Sequence, residues 1–364
     1  MRLTDEYFMR KALALAERGR GQTSPNPMVG AVVVDSSGVI VGRGSHRAAG
    51  GPHAEVFALQ EAGERARGAT LYCTLEPCSH HGRTGPCAPL VADAGISRAV
   101  IAMQDPNPIV HGRGLSHLRA RGVRVETGVL ADDAARQNEV FVTTVTLGRP
   151  FVIAKVALSL EAAIARAEGV RVSLTGASAN RIVQRQRAEV DAIGVGSSTL
   201  LLDDPLLTPR GAWRGRPLAR IIFDRRLRTP ADARVLSTAS TGPVVVLTRR
   251  ASARAQPDAV AALERAGARV VSLDSDGLGP SLTWLLREAD MRSIVVEGGA
   301  RLHRALLDEG LVDAVHAYLT PVRLGPDAIR WVDPERFTLS ELHRRRAEWF
   351  DDDVKVEGYV HRHH

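Results

Sequence analysis

The chain has 364 residues, 44% of them hydrophobic and 24% charged, as expected of a soluble globular protein with room for two domains. No apolar run is long enough to span a bilayer, and Met1–Glu6 has no apolar core behind its positive charge, so neither a membrane span nor a secretory signal is expected. The charge balance of 48 basic against 41 acidic residues gives +7, and the excess is spread over both halves without a basic tail, which favours small anionic substrates over nucleic acid or membrane partners.

In chain order, Thr4-Asp5-Glu6 followed by Phe8, Ala12 and Leu15 predicts a capped amphipathic helix. Val29–Val34 and Val39–Gly44 read as strands around a turn at Asp35–Gly38. Pro52-His53-Ala54-Glu55 opens a second helix, to about Arg65. A strand at Ala69–Thr74, a helix at Pro86–Ala94, a strand at Arg98–Met103, a helix at Leu115–Arg121 and a strand at Val123–Thr127 follow. This alternation predicts an α/β domain with a mostly parallel sheet. Thr143–Pro150 is the expected boundary, dividing the chain into 1–148 and 149–364. Beyond it, strands are expected at Phe151–Ala157, Asp191–Val195, Ala219–Phe223, Val244–Thr248, Arg269–Leu273, Ser293–Glu297, Val312–Leu319 and Val354–Val360, with helical patterns between the earlier ones. This is a second α/β domain.

The three cysteines, Cys73, Cys78 and Cys87, cluster in one short stretch. An odd, clustered set points to a metal or catalytic site in a reducing compartment, hence a cytoplasmic protein, rather than a disulfide framework. His53-Ala54-Glu55 with Pro77-Cys78 and Pro86-Cys87 supplies one imidazole and two thiolates. A tetrahedral Zn²⁺ held by His53, Cys78 and Cys87 would keep its fourth position for a water of lowered pKa. Glu55, two residues past a ligand, suits proton transfer to a leaving amine. His53 and Cys78 are both expected at helix starts, which favour the thiolate. A structural zinc, or buried thiols with a capping histidine, would leave Glu55 and the Pro-Cys pairs unexplained. Cys73, inside a strand, reads as core. The pattern is that of zinc deaminases acting on bases, with a longer polar insert, Ser79–Pro86, between the cysteines.

Ser24-Pro25-Asn26-Pro27-Met28-Val29-Gly30, His53-Ala54-Glu55, Leu75–Cys87 and Gln104-Asp105-Pro106-Asn107-Pro108 together resemble the bifunctional riboflavin-biosynthesis deaminase–reductases. The resemblance implies a cytidine-deaminase-like domain that removes the 2-amino group of a diaminopyrimidinone ribosylamine 5′-phosphate, with Asn26 holding the base; the plainer reading of Asn26 is a turn residue between prolines. It continues through Lys155–Leu160, Arg187-Ala188-Glu189, Gly196–Pro205, Thr208–Arg210 and Val296-Glu297-Gly298-Gly299. It implies a dihydrofolate-reductase-like second domain that uses NADPH to reduce the ribosyl group to ribityl. By position, Ala157, Ser173, Thr199, Asp203, Gly299, Ala300 and Arg301, within the Gly299–Ala305 stretch, would contact the cofactor. Arg187, Leu207, Arg210 and Glu297 would contact substrate. A homo-oligomer is also implied.

From the residues alone, Glu297-Gly298-Gly299 between an apolar strand and a helix could present amides to a phosphate. Arg187 and Arg210 suit a phosphate, although solvated surface roles are open to both. Gly194-Val195-Gly196 lacks the third glycine of a dinucleotide fingerprint and carries little weight. Where the family has Ser-Leu-Asp-Gly the chain has Ser159-Leu160-Glu161-Ala162, a family Trp-Ile-Thr reads Ser173-Leu174-Thr175, and a family serine is Arg171. These departures keep open the alternative of a deaminase whose second domain has lost hydride transfer.

Overall fold

The computed structural model describes residues 4–79, 85–108, 110–166 and 172–361. The Thr4 hydroxyl accepts the Tyr7 N–H at 3.3 Å and so starts α1 (Asp5–Ala16), whose apolar stripe is buried. The first unit continues with β1 (Gly30–Val34), β2 (Ile40–Ser45), α2 (Ala54–Ala62), β3 (Thr70–Leu75), α3 (Cys87–Asp93) and β4 (Arg98–Met103). It closes with α4 (Arg113–Ala120), β5 (Arg124–Thr127), α5 (Ala131–Gln137) and α6 (Glu139–Leu147). The sheet order is β2-β1-β3-β4-β5. Every residue of β1 is buried because both faces are covered. Val32 and Val34 pack with Phe8 and Ala12 of α1, while Ala31 and Val33 pack with Ala54 and Ala58 of α2.

The sheet, expected to be mostly parallel, is mixed in equal parts. Only β3-β4-β5 run parallel; β1 is antiparallel to both β2 and β3, because a tight hairpin joins β1 to β2. Within the expected boundary Thr143–Pro150, α6 runs to Leu147, and Gly148 ends it in the left-handed region at φ 64°. The chain divides there into two compact units, Met1–Gly148 and Arg149–His364.

The second unit holds β6 (Phe151–Leu158), β7 (Ala163–Ala165), α7 (Ala177–Glu189), β8 (Ala192–Gly196), α8 (Ser197–Asp203), β9 (Ala219–Phe223) and β10 (Val244–Arg249). After these come α9 (Arg250–Ala255), α10 (Pro257–Arg265), β11 (Ala268–Leu273), α11 (Gly279–Ala289), β12 (Ser293–Val296) and α12 (Ala300–Asp308). It ends with β13 (Ala314–Leu319), β14 (Ile329–Arg330), β15 (His343–Phe350) and β16 (Asp353–Tyr359). Its sheet runs β11-β10-β9-β8-β12-β6-β13-β16-β15, parallel from β11 through β13 and antiparallel beyond. The Arg149 guanidinium grips buried Asp313 through two hydrogen bonds of 2.6 and 2.8 Å, tying the start of β6 to that of β13. Among the described residues no helix is long and apolar enough to cross a membrane.

Candidate active sites in the two units

In the first unit the sheet's β3 ends at Leu75, and the chain turns through Glu76-Pro77-Cys78 beside the first residues of α2 and α3. Glu76 holds this turn: its buried carboxylate accepts the N–H groups of Gly112 at 3.0 Å and Gly114 at 2.8 Å, and that of Asp105 at 3.2 Å. His53 caps α2, and Cys87 is the first residue of α3. The expectation that Cys78 starts a helix is therefore corrected: Cys87 does. Cys78 precedes the insert, yet the Cys87 N–H at the start of α3 donates to its sulfur at 3.3 Å, so the expected helix-end stabilisation reaches it through space. His80–Thr84 of the insert lie outside the described residues.

The His53 Nδ1 is 3.5 Å from the Cys78 sulfur and 3.3 Å from that of Cys87, and the three donor atoms lie within 4.8 Å of one another. Two sulfurs this close resist carrying two negative charges unless a cation lies between them. The Cys87 S–H draws the Cys78 thiol down to about 4, and the neighbouring Cys78 sulfur pushes Cys87 up. One nitrogen and two sulfurs are a zinc donor set with one tetrahedral position to spare. Glu55 is buried, burial pushes its carboxyl up to about 7, and its Oε2 has no hydrogen-bond partner among the described residues. A buried carboxylate oxygen left unpaired beside that donor set fits a site built for a metal and a reacting group. Cys73 is buried in β3 among apolar neighbours, as expected of core.

Asn26 lies at this site, though not by direct contact with the sulfurs. Its amide nitrogen is 3.1 Å from Nε2 of buried His46, whose Nδ1 is 3.0 Å from the Pro52 carbonyl. Burial lowers the His46 pKa, so the ring is neutral, its Nδ1–H donates to Pro52 and its Nε2 accepts from Asn26. The His46 and His53 rings meet edge-on at 5.5 Å. Sequence reasoning passed over His46, since nothing in a strand-end Ser-His-Arg marks its ring as turned inward.

In the second unit, Arg187 of α7 and Glu297 after β12 pair through two hydrogen bonds of 2.7 Å each. Burial opposes both charges, but the paired contact holds the Glu297 carboxyl down and the Arg187 guanidinium up. Arg187 also donates to the Thr208 carbonyl, and the Arg210 backbone N–H donates to Gln184 of the same helix, so the Arg187 and Glu297 side chains meet while Arg210 approaches them through its backbone. The Arg210 side chain is exposed, whereas Leu207 is buried at φ 53°. Lys155 of β6, quoted above without a role, faces the same cluster. Burial lowers its pKa, Glu297 opposes that, and its ammonium lies 5.3 Å from the Tyr318 ring centre.

Thr199 and Gly299 meet directly, the Gly299 N–H donating to the Thr199 hydroxyl at 3.0 Å. Thr199 lies in the first turn of the short helix α8, which Asp203 ends, and Ala300 and Arg301 lie in the first turn of α12. Ala157 is on β6 opposite Tyr318. Ser173 is exposed ahead of α7 and, among the described residues, makes no hydrogen bond to the other cofactor candidates. Arg171 lies outside the described residues.

A mixed sheet carrying a His-Cys-Cys donor set beside a buried glutamate, followed by a mainly parallel sheet with the Glu297-Gly298-Gly299 turn between β12 and α12, fits a zinc-binding deaminase domain joined to a reductase domain. Residues 2–103 match the model described as the cytidine and deoxycytidylate deaminase zinc-binding region, and residues 150–356 match the RibD C-terminal domain. The chain belongs to the RibD family, the bifunctional deaminase–reductases of riboflavin biosynthesis. It is 41% identical to the riboflavin biosynthesis protein RibD of Escherichia coli K12 over 331 residues, 90% of each chain. It is 39% identical to that of Aquifex aeolicus over 325 residues, 89% of each. Acinetobacter baumannii RibD superposes with a TM-score of 0.84 at 36% identity, covering 98% of both chains. The Thermotoga maritima diaminohydroxyphosphoribosylaminopyrimidine deaminase/5-amino-6-(5-phosphoribosylamino)uracil reductase gives 0.82 at 33%, again over 98% of both. Both family domains are present, which does not favour a silent second half.

Proposed function

We propose that residues 1–148 deaminate 2,5-diamino-6-ribosylamino-4(3H)-pyrimidinone 5′-phosphate and that residues 149–364 reduce the ribosyl group of the product to ribityl with NADPH. The convergence of His53, Cys78 and Cys87 on one point beside the unpaired Glu55 oxygen carries this reading. Zinc, when bound by His53, Cys78 and Cys87, supplies Lewis-acid activation of water. Glu55 takes a proton from the attacking water and returns it to the departing amine, a role that suits a carboxyl held near neutrality by burial. The Asn26 amide, with its NH₂ committed to His46, keeps its carbonyl oxygen to accept from an amino or ring N–H of the base. In the second unit NADPH supplies hydride to the sugar carbon. Arg187, Arg210 and Lys155 attract the anionic substrate, and Glu297 orients Arg187 and offers oxygens to ribose hydroxyls. Thr199, Asp203 and the Gly299–Arg301 turn, with Ala157 on β6 and Ser173 ahead of α7, hold the cofactor. We further propose that the protein works in the cytoplasm as a homo-oligomer; three cysteines without a disulfide support the reducing compartment.

The test follows ammonia release and NADPH oxidation together in zinc-loaded protein. Both are expected, with oxidation dependent on prior deamination. Glu55→Gln is expected to retain zinc and lose about 10²- to 10⁴-fold in ammonia release. Full ammonia release by that variant would refute the role given to Glu55, and ammonia without NADPH consumption would refute the reductase assignment.

A further inference from the structure

We infer that Arg228 reads the 2′-phosphate of the cofactor and is the residue by which this chain separates NADPH from NADH. The inference rests on the reductase reading above. After β6 the chain places β8 two positions away, steps outward through β9, β10 and β11, and returns as β12 between β8 and β6. The direction of winding therefore reverses between β8 and β12. Open parallel sheets bind ligands at the carboxyl ends of the strands at such a reversal. At this reversal the backbone of Gly196, Gly298 and Gly299 carries no side chains. A side chain at Gly298 would put its Cβ 3.3 Å from the Leu302 side chain and 3.6 Å from the Gly196 nitrogen. The Thr199–Gly299 hydrogen bond ties the two sides of the reversal together.

The next strand outward, β9, ends in a turn built to present Arg228. Buried Asp224 accepts both the N–H and the hydroxyl of Thr229 at 2.7 Å each, and Leu227 is buried at φ 52°. Between these anchors Arg228 is exposed and reaches back to the start of α8, donating to Ser197 at 2.7 Å and Ser198 at 3.3 Å. Of the neighbouring arginines, Arg225 and Arg249 share Asp276 and Arg250 pairs with Asp274, while Arg226, among the described residues, has neither a carboxylate partner nor a hydrogen bond to these serines. Among the described residues Arg228 has no carboxylate within ion-pair distance. Each serine accepts from the guanidinium and so keeps its own O–H to donate. One guanidinium edge and two hydroxyl donors, one or two residues from Thr199, form a donor set for a phosphate monoester. A ribose 2′-hydroxyl, which carries no charge, would leave that cation unused.

Calorimetric titration of the zinc-loaded full chain with NADPH and with NADH tests this without turnover. Wild type is expected to bind NADPH at least about tenfold more tightly, with the preference shrinking as salt is raised. Arg228→Gln is expected to weaken NADPH by about 10- to 100-fold and leave NADH within about twofold, and Arg228→Lys to recover part of the loss. Equal weakening of both nucleotides, or an unchanged NADPH affinity, overturns the assignment. Should Arg228→Gln not fold, Ser198→Ala serves: a loss confined to NADPH supports the site and an equal loss on both refutes it. Wild type that binds both nucleotides alike overturns this inference alone, whereas wild type that binds neither overturns the reductase reading beneath it.

Discussion

Ala162, where the family has glycine, stands at φ 57°, in the left-handed region that a Cβ disfavours. Its turn is held from Ser159, whose hydroxyl accepts the Glu161 and Ala163 N–H groups and donates to the Glu161 carboxylate at 2.7 Å. That carboxylate also accepts the Leu324 N–H, so glutamate does a job within reach of its extra methylene. Ala162→Gly is expected to stabilise the second unit by about 0.5–1 kcal/mol, the strain relieved less the entropy glycine adds to the unfolded chain. A denaturant midpoint that falls would contradict it. His303 makes a second point at this scale. Its Nε2–H donates to the Val296 carbonyl at 3.0 Å and its Nδ1 accepts from the Trp331 indole at 2.8 Å, so only the neutral ring satisfies both. Burial pushes it down to about 4, and pushes His316 down to about 3. Between about 6.5 and these values the unfolded chain binds more protons than the folded one. Stability of the second unit is therefore full above about pH 6.5 and falls as pH drops, by up to about 1.4 kcal/mol per pH unit for each ring. Urea unfolding across that window reads the slope; a flat profile would mean the rings protonate in place.

Helix α2 carries Glu55 and is capped by His53, the proposed proton carrier and metal ligand, and glycines on β2 set its position. A Cβ at Gly44 would fall 1.9 Å from the Ala54 carbonyl oxygen, and one at Gly42 would fall 2.0 Å from that of Ala58. The helix backbone thus lies directly on the strand, and any side chain there must lift it. Gly44→Ala is expected to cost about 1–3 kcal/mol and to move His53 and Glu55 off the cysteines, lowering zinc content measured on the purified protein. Full zinc occupancy with ordinary stability would show that α2 can shift without opening the site. Strand β15, by contrast, is mostly exposed with three consecutive arginines, and its sequence has no apolar alternation to announce it. Only pairing with β16 makes it a strand.

Each unit has its own apolar core, one centred on β1, β3 and β4 and the other on the long sheet. The proposed zinc donors His53, Cys78 and Cys87 all lie in the first unit, so removal of the metal is expected to act on one core. Calorimetry is expected to resolve two unfolding transitions, of which a chelator lowers only one, by about 4 kcal/mol where free zinc had been about 1,000-fold above its Kd. Cys78→Ala is expected to lower the same transition and to leave NADPH-dependent reduction of the deaminated intermediate intact. Loss of both activities would mean that the second unit depends on the first for its fold.

The residues by themselves determined the chemistry of the first site, because zinc ligation depends on residue type and the two Pro-Cys pairs and His53-Ala54-Glu55 are local in sequence. They also determined most central strands, whose apolar runs are long enough to stand out, and the glycines of the Glu297–Gly299 turn. Tertiary structure alone decided which polar side chains meet across the fold. The ring of His46 turns toward Asn26, Glu76 gathers amides from beyond Gln104, Lys155 comes to face Glu297, and Arg228 crosses from β9 to the serines after β8. These partners are distant in sequence and carry no periodic signal. A buried polar group is satisfied by whatever the packed elements bring to it, and that is settled only when the sheets and helices close around their cores.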